Sequence, residues 1–155
     1  MTPTYPLLFS YRDLVFGNGY VAEVVATNGR ALVEEEDGAI WFEGVNPGGM
    51  AASGRSPDEA HAAFRERFRH VLADLASEAE TFDAFRREVA RFFDETNEPA
   101  ERDWLAAVEA VRAGEVRAEG LPQKPAASPR SVRVLMRHSF TARDNDPEFE
   151  QALAA

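Results

Sequence analysis

Up to about residue 53 apolar positions recur with the two-residue period of strands; from residue 57 they follow the 3.6-residue period of helices. Runs of strand length, rich in Val, Tyr, Phe and Trp, cover Ser10 to Phe16, Tyr20 to Thr27, Arg30 to Glu36 and Ala39 to Val45. Gly17-Asn18-Gly19, Asn28-Gly29 and Asp37-Gly38 separate them. These pairs suit tight hairpins because Gly and Asn tolerate the positive φ such turns require. In the second run Tyr20, Ala22, Val24 and Ala26 share one face, with Val21, Glu23 and Val25 on the other. That pattern predicts a covered sheet. Trp41 and Phe42 fall on opposite faces of the fourth run, one in the core and one needing another cover. A short strand, Met50 to Ser53, follows the Asn46-Pro47-Gly48-Gly49 turn.

Ser56-Pro57-Asp58-Glu59 opens the first helix. Ser56 caps the free amides, Pro57 needs no donor there, and Glu59 completes a capping box. Ala60, Ala63, Phe64, Phe68, Val71, Leu72 and Leu75 then form one stripe. A second helix is predicted from near Ser77, with Glu80 three residues on, burying Phe82, Phe85, Val89 and Phe92 or Phe93. A third begins near Pro99 and uses Trp104, Ala107, Val108 and Val111 as far as Gly114. Pro122, Pro125 and Pro129 mark an extended linker. Ser131 to Phe140 alternates again and predicts a strand, followed by a polar tail. The expected class is α+β: an antiparallel β-meander on an amphipathic helix, with a helical extension and a C-terminal strand. The divisions are 1–76, 77–120 and 121–155.

Composition narrows the chemistry. The 155 residues contain no Cys, which removes disulfides, thiolate metal sites and a cysteine nucleophile. The sequence holds no apolar run of about eighteen residues that could cross a bilayer. Met1-Thr2-Pro3-Thr4 carries no basic leader, so the expected location is cytoplasmic. The net charge of −10 opposes broad attraction to nucleic acid. Yet Lys124, Arg130, Arg133, Arg137 and Arg143 lie in a stretch, residues 121–143, without a single acid. The chain reads as a basic arm on an acidic body.

The stretch from Arg30 to about Leu75 resembles the HicB-like domain of bacterial antitoxins. The resemblance rests on Ala31-Leu32-Val33-Glu34-Glu35-Glu36-Asp37-Gly38, Ile40-Trp41-Phe42-Glu43-Gly44-Val45, the loop Asn46 to Gly54, and Ser56-Pro57-Asp58-Glu59-Ala60. Gly48-Gly49 stands where the family has Pro-Gly. The DNA-reading domain that often follows in the family has no counterpart here. The resemblance implies a β-β-β-α core and a non-enzymatic protein-binding module that neutralises a small basic RNA-cleaving toxin by covering its surface.

Candidate partner contacts are Glu34, Glu35, Glu36, Trp41, Arg133 and Arg137. The acids form either a solvated hairpin tip or a contact for a basic toxin. Strand alternation spoils a chelate there. Arg133 and Arg137 either lie on the chain's own acidic body, meet a protein, or line a nucleic-acid backbone as a regulator would. A second copy of the chain is an expected partner, and a membrane is not. His61 and His70, nine residues apart on one helix, face about 180° apart and cannot share a metal. No nucleophile elbow, phosphate loop or dinucleotide fingerprint occurs, so no catalytic residue, cofactor or metal is expected.

Overall fold

The computed structural model describes residues 4–114 and 130–140. The expected linker over 121–129, the tail after residue 140 and the first three residues lie outside the described residues. The order is β1 (Tyr5–Gly17), β2 (Tyr20–Glu36), β3 (Ala39–Asn46), β4 (Ala51–Gly54), α1 (Pro57–Glu78), α2 (Phe82–Asp94), α3 (Glu98–Arg112) and β5 (Ser131–Ser139). The described residues form a mixed α+β fold with a curled antiparallel sheet and three helices.

Two strand expectations are corrected. The first strand begins at Tyr5 rather than Ser10. Asn28-Gly29 makes no hairpin: the second and third expected strands are one, β2. Phe9 pairs with Gly29 and Tyr11 with Ala26, so Ser10 faces two residues, Thr27 and Asn28. That is a β-bulge, with Asn28 at φ 56°. The Asn-Gly pair supplies left-handed backbone here as it would in a turn, but the length of β1 holds both halves of β2 in one ladder. A Cβ on Gly29 would lie 2.5 Å from the Phe9 ring, so the smallest residue is needed where that ring crosses. Asp37 and Gly38, both at positive φ, form the expected β2–β3 turn.

β2 is the axis of the sheet. One edge pairs with β1 along nearly its whole length. The other pairs with β5 over Tyr20 to Thr27 and with β3 over Arg30 to Glu36. β5 and β3 thus lie end to end, either side of the bulge. The expected strand Ser131 to Phe140 has its partner within its own chain.

The helices sit on both sides. On the inner face, Ala60, Phe64, Phe68, Leu72 and Ala76 of α1 and Phe85, Val89 and Phe93 of α2 share one core with Phe9, Tyr11, Tyr20, Val24 and Phe42. Its rings interlock: Phe9 meets Phe64 edge-on at 5.2 Å, and Tyr11 stacks on Phe68 at 4.3 Å. At its rim Tyr11 Oη and Arg69 Nε donate to Asp13 Oδ2 at 3.1 and 2.8 Å. α3 takes the outer face, where Ala100, Trp104, Ala107 and Val108 cover Leu8, Leu32 and Val45.

Helix starts follow local chemistry. Ser56 Oγ accepts from the Glu59 amide at 3.1 Å, as expected. α2 is capped by Thr81, whose hydroxyl accepts from the Ala84 amide, and not from Ser77. Ser77 lies in the last turn of α1, its hydroxyl turned back to the Asp74 carbonyl. α1 therefore continues through the polar residues where a break was expected, because Leu75 and Ala76 keep its buried stripe in register.

Asn46, fully buried, ties the sheet to the α2–α3 connection. Its Oδ1 accepts from Arg30 Nε at 2.8 Å and from Arg30 Nη2, and its Nδ2 donates to Thr96 Oγ1 at 2.7 Å and to the Glu95 carbonyl at 3.3 Å. Arg30 also pairs with Glu101 on α3 at 2.6 Å and lies over the Trp104 ring. Gly48 donates to the Glu95 carbonyl, and Asn97 to that of Val45. A Cβ on Gly48 would collide with the Asn97 backbone. The Asn-Pro-Gly-Gly loop is thus a socket that swings α3 to the opposite side of the sheet from α1 and α2.

Candidate functional site

The outer face carries the candidate contacts, at two separated ends. Strand alternation places Glu34 and Trp41 directly opposite each other on β2 and β3, both pointing outward. Glu36 and Glu43 share that face one step to either side. Glu35, opposite Ile40, faces the α1 side, so the three consecutive acids do not act together. Asp103 of α3 approaches the group. Burial pushes Glu34 above the ordinary carboxylate range, and the charges of Glu43, Asp103 and Glu36 push the same way. Asn97 Nδ2 donates to Glu43, but among the described residues none of these four acids has an ion-pair partner. No three His, Asp or Glu side chains among the described residues converge to hold a metal ion. The four acids are a field around an aromatic ring that is 41% exposed.

The second end lies over the first half of β2, beyond the reach of α3. Registers across β1, β2 and β5 align Leu14, Glu23 and Leu135 in one row and Arg12, Val25 and Arg133 in the next. Arg137 donates to Glu23 at 2.5 Å, and Arg12 stands 3.8 Å from the same carboxylate. The hydrogen bond from Arg137, aided by the neighbouring arginine charges, holds the Glu23 carboxyl below its usual range. Phe16 is 74% exposed and Leu14 51%, because no helix among the described residues covers this half of the outer face.

The structure therefore unites Arg133 with Arg137, and Glu34 with Glu36 and Trp41, but sets the two groups apart. From Val25 to Glu34 is nine residues of strand, about 30 Å. Glu43 and Asp103, and Arg12, Leu14 and Phe16, were not legible as parts of a site. The first pair needs the β2–β3 register and the path of α3. The outward alternation of Arg12, Leu14 and Phe16 was visible in sequence, but their exposure depended on where the helices pack.

No protein-family model matches this chain, no curated protein does, and no solved structure does. Among the described residues no helix is long and apolar enough to cross a membrane.

Proposed function

We propose that the chain is a non-enzymatic protein-binding module of antitoxin type, with the acidic end around Trp41 as its contact for a small basic RNA-cleaving toxin. The observation that carries this reading is the imbalance at that end. Glu43, Asp103 and Glu36 add to burial in raising Glu34, and among the described residues none of the four acids has an ion-pair partner. Such a field steers a cationic partner, and the exposed indole offers an anchor that takes cations on its face and apolar groups at its edge. The HicB-like stretch supports the same reading. Its hairpin residues Glu34 to Gly38 and Ile40 to Val45 are those that build the acidic end, whereas the sheet around them, with β1 along nearly all of β2 and β5 beside its first half, departs from the β-β-β-α core that the resemblance implies.

The nucleic-acid regulator has less to stand on. It draws on Arg133 and Arg137, and Arg137 is already engaged by Glu23.

The reading is tested by co-expressing the chain with the small protein encoded next to it. Growth arrest and RNA cleavage by that protein should be relieved by the wild type and not by Trp41→Ala combined with Glu34→Gln and Glu36→Gln. RNA cleavage by the purified chain itself, or relief that survives the triple change, overturns the proposal.

A further inference from the structure

Of the five large apolar residues left exposed among the described residues, Leu14, Phe16, Trp41 and Leu105 all lie on the outer side of the sheet. Leu14, Phe16 and Trp41 alternate outward from buried neighbours, Val15 and Phe42 among them. Leu105 turns away from the α3 stripe that grips the sheet. The fold has two complete layers and a third that is half built: α3 covers one half of the outer face, and nothing among the described residues covers the other. Exposed apolar groups gathered on one side of a small domain mark an association surface.

Charge identifies what would cover it. Among the described residues the uncovered half carries Arg12, Arg133 and Arg137 against the single carboxylate Glu23, while the other end of the same side carries Glu34, Glu36, Glu43 and Asp103. The surface is thus complementary to itself when reversed. A two-fold axis near the bulge at Asn28 would lay the arginine end of each sheet on the acidic end of the other. It would also bring each α3 over the uncovered half of its partner's sheet, with Leu105 toward Leu14 and Phe16. Packing the two arginine ends on one another would instead oppose like charges.

We propose that the outer side is the interface of a two-fold dimer in which the arginine end of each copy meets the acidic end of the other. A contact of this kind is isologous, so it closes at two copies and exposes no further half. Taken with the function proposed above, on which this one consequence rests, it gives the acidic end a competitor: a basic toxin must displace the partner's arginines to reach Trp41.

Charge reversal tests the arrangement. Wild-type chain should have the mass of two copies by light scattering at micromolar concentration. Arg12→Glu with Arg133→Glu, and separately Glu34→Arg with Glu36→Arg, should each shift dissociation to at least about ten-fold higher protein concentration. Mixed in equal amounts, the two variants should recover the dimer, since both contacts of the mixed pair are again complementary. Circular dichroism checks that each variant is folded, and the wild-type mass tests the proposal without any variant. A monomeric wild type, open-ended larger assemblies, undiminished dimerisation of both folded variants, or a mixture that stays monomeric overturns the proposal. These readouts are independent of toxin relief, so either proposal can fail alone.

Discussion

Replacing Asn46 with Leu keeps the number and branching of the side chain's heavy atoms and deletes its hydrogen bonding. It strands two sets of groups. Arg30, only 14% exposed, loses the acceptor it shares between Nε and Nη2 and keeps Glu101. The Thr96 hydroxyl and the Glu95 carbonyl lose a donor. A hydrogen bond to a charged group contributes about 1.5–3 kcal/mol and a neutral one about 0.5–1.5 kcal/mol. The expected loss is therefore about 3 kcal/mol, a large part of the roughly 5–15 kcal/mol that holds a domain together. With a urea slope of about 2 kcal/mol per molar, the midpoint should fall by about 1.5 M. Adding Arg30→Met removes the stranded cation as well. The double variant should then be less destabilised than the sum of the two single ones, because the cost comes from burying one partner without the other. Urea curves for the four proteins make a complete cycle. A midpoint within about 0.3 M of wild type for Asn46→Leu, at this slope worth no more than one weak bond, would refute the socket; so would strict additivity.

Two further outcomes follow from local chemistry. Ser56→Ala and Thr81→Ala should each cost about 1 kcal/mol in chemical unfolding, since each hydroxyl accepts from a first-turn amide; glycine in place of alanine should cost less. Glu34→Gln should raise the melting temperature at neutral pH and change it little near about pH 3. With a folded pKa above the ordinary 4.5, Glu34 binds its proton more tightly in the folded chain, so stability falls as pH rises from 4.5 through the folded value and stays lowered above it. A variant no more stable than wild type at neutral pH would show that the acidic end carries no strain.

Most of the elements could be read from the chain, because each rests on a local cause. The Ser56 cap, the α1 stripe, the Asp37-Gly38 turn and the alternation of residues 131–139 need only a few neighbours each. The errors came where a distant partner decided. Asn28-Gly29 has the composition of a hairpin turn, but the full length of β1 lies alongside and makes it a bulge. Ser77 resembles a cap, yet Leu75 and Ala76 are held against the core and carry α1 past it. The socket was invisible for a similar reason. Arg30, Asn46, Thr96 and Glu101 are spread over 72 positions of sequence, and none belongs to a motif. At the candidate site, Glu34, Glu36 and Trp41 were legible as neighbours from strand pairing alone. Asp103 joins them only because the socket swings α3 across the sheet.

The placement of α3 also links the fold to its proposed work. Were α3 on the inner face with α1 and α2, the whole outer face of β2 would be open and Leu32 and Val45 would lack cover. Held where it is by Asn46 and Arg30, α3 covers that half and adds Asp103 to the acids around Glu34. Opposite charges therefore remain about 30 Å apart along one strand, well beyond the roughly 8 Å screening length at physiological salt, and do not neutralise each other within the chain. Folding alone draws little benefit from that separation, and at the acidic end burial together with the charges of Glu43, Asp103 and Glu36 raises Glu34 and works against stability. The proposed gain lies in association. A second copy reversed on the first matches both ends at once, whereas a basic toxin matches only the acidic one. Toxin and second copy would thus meet at Trp41, where occupation by either relieves the same carboxylates.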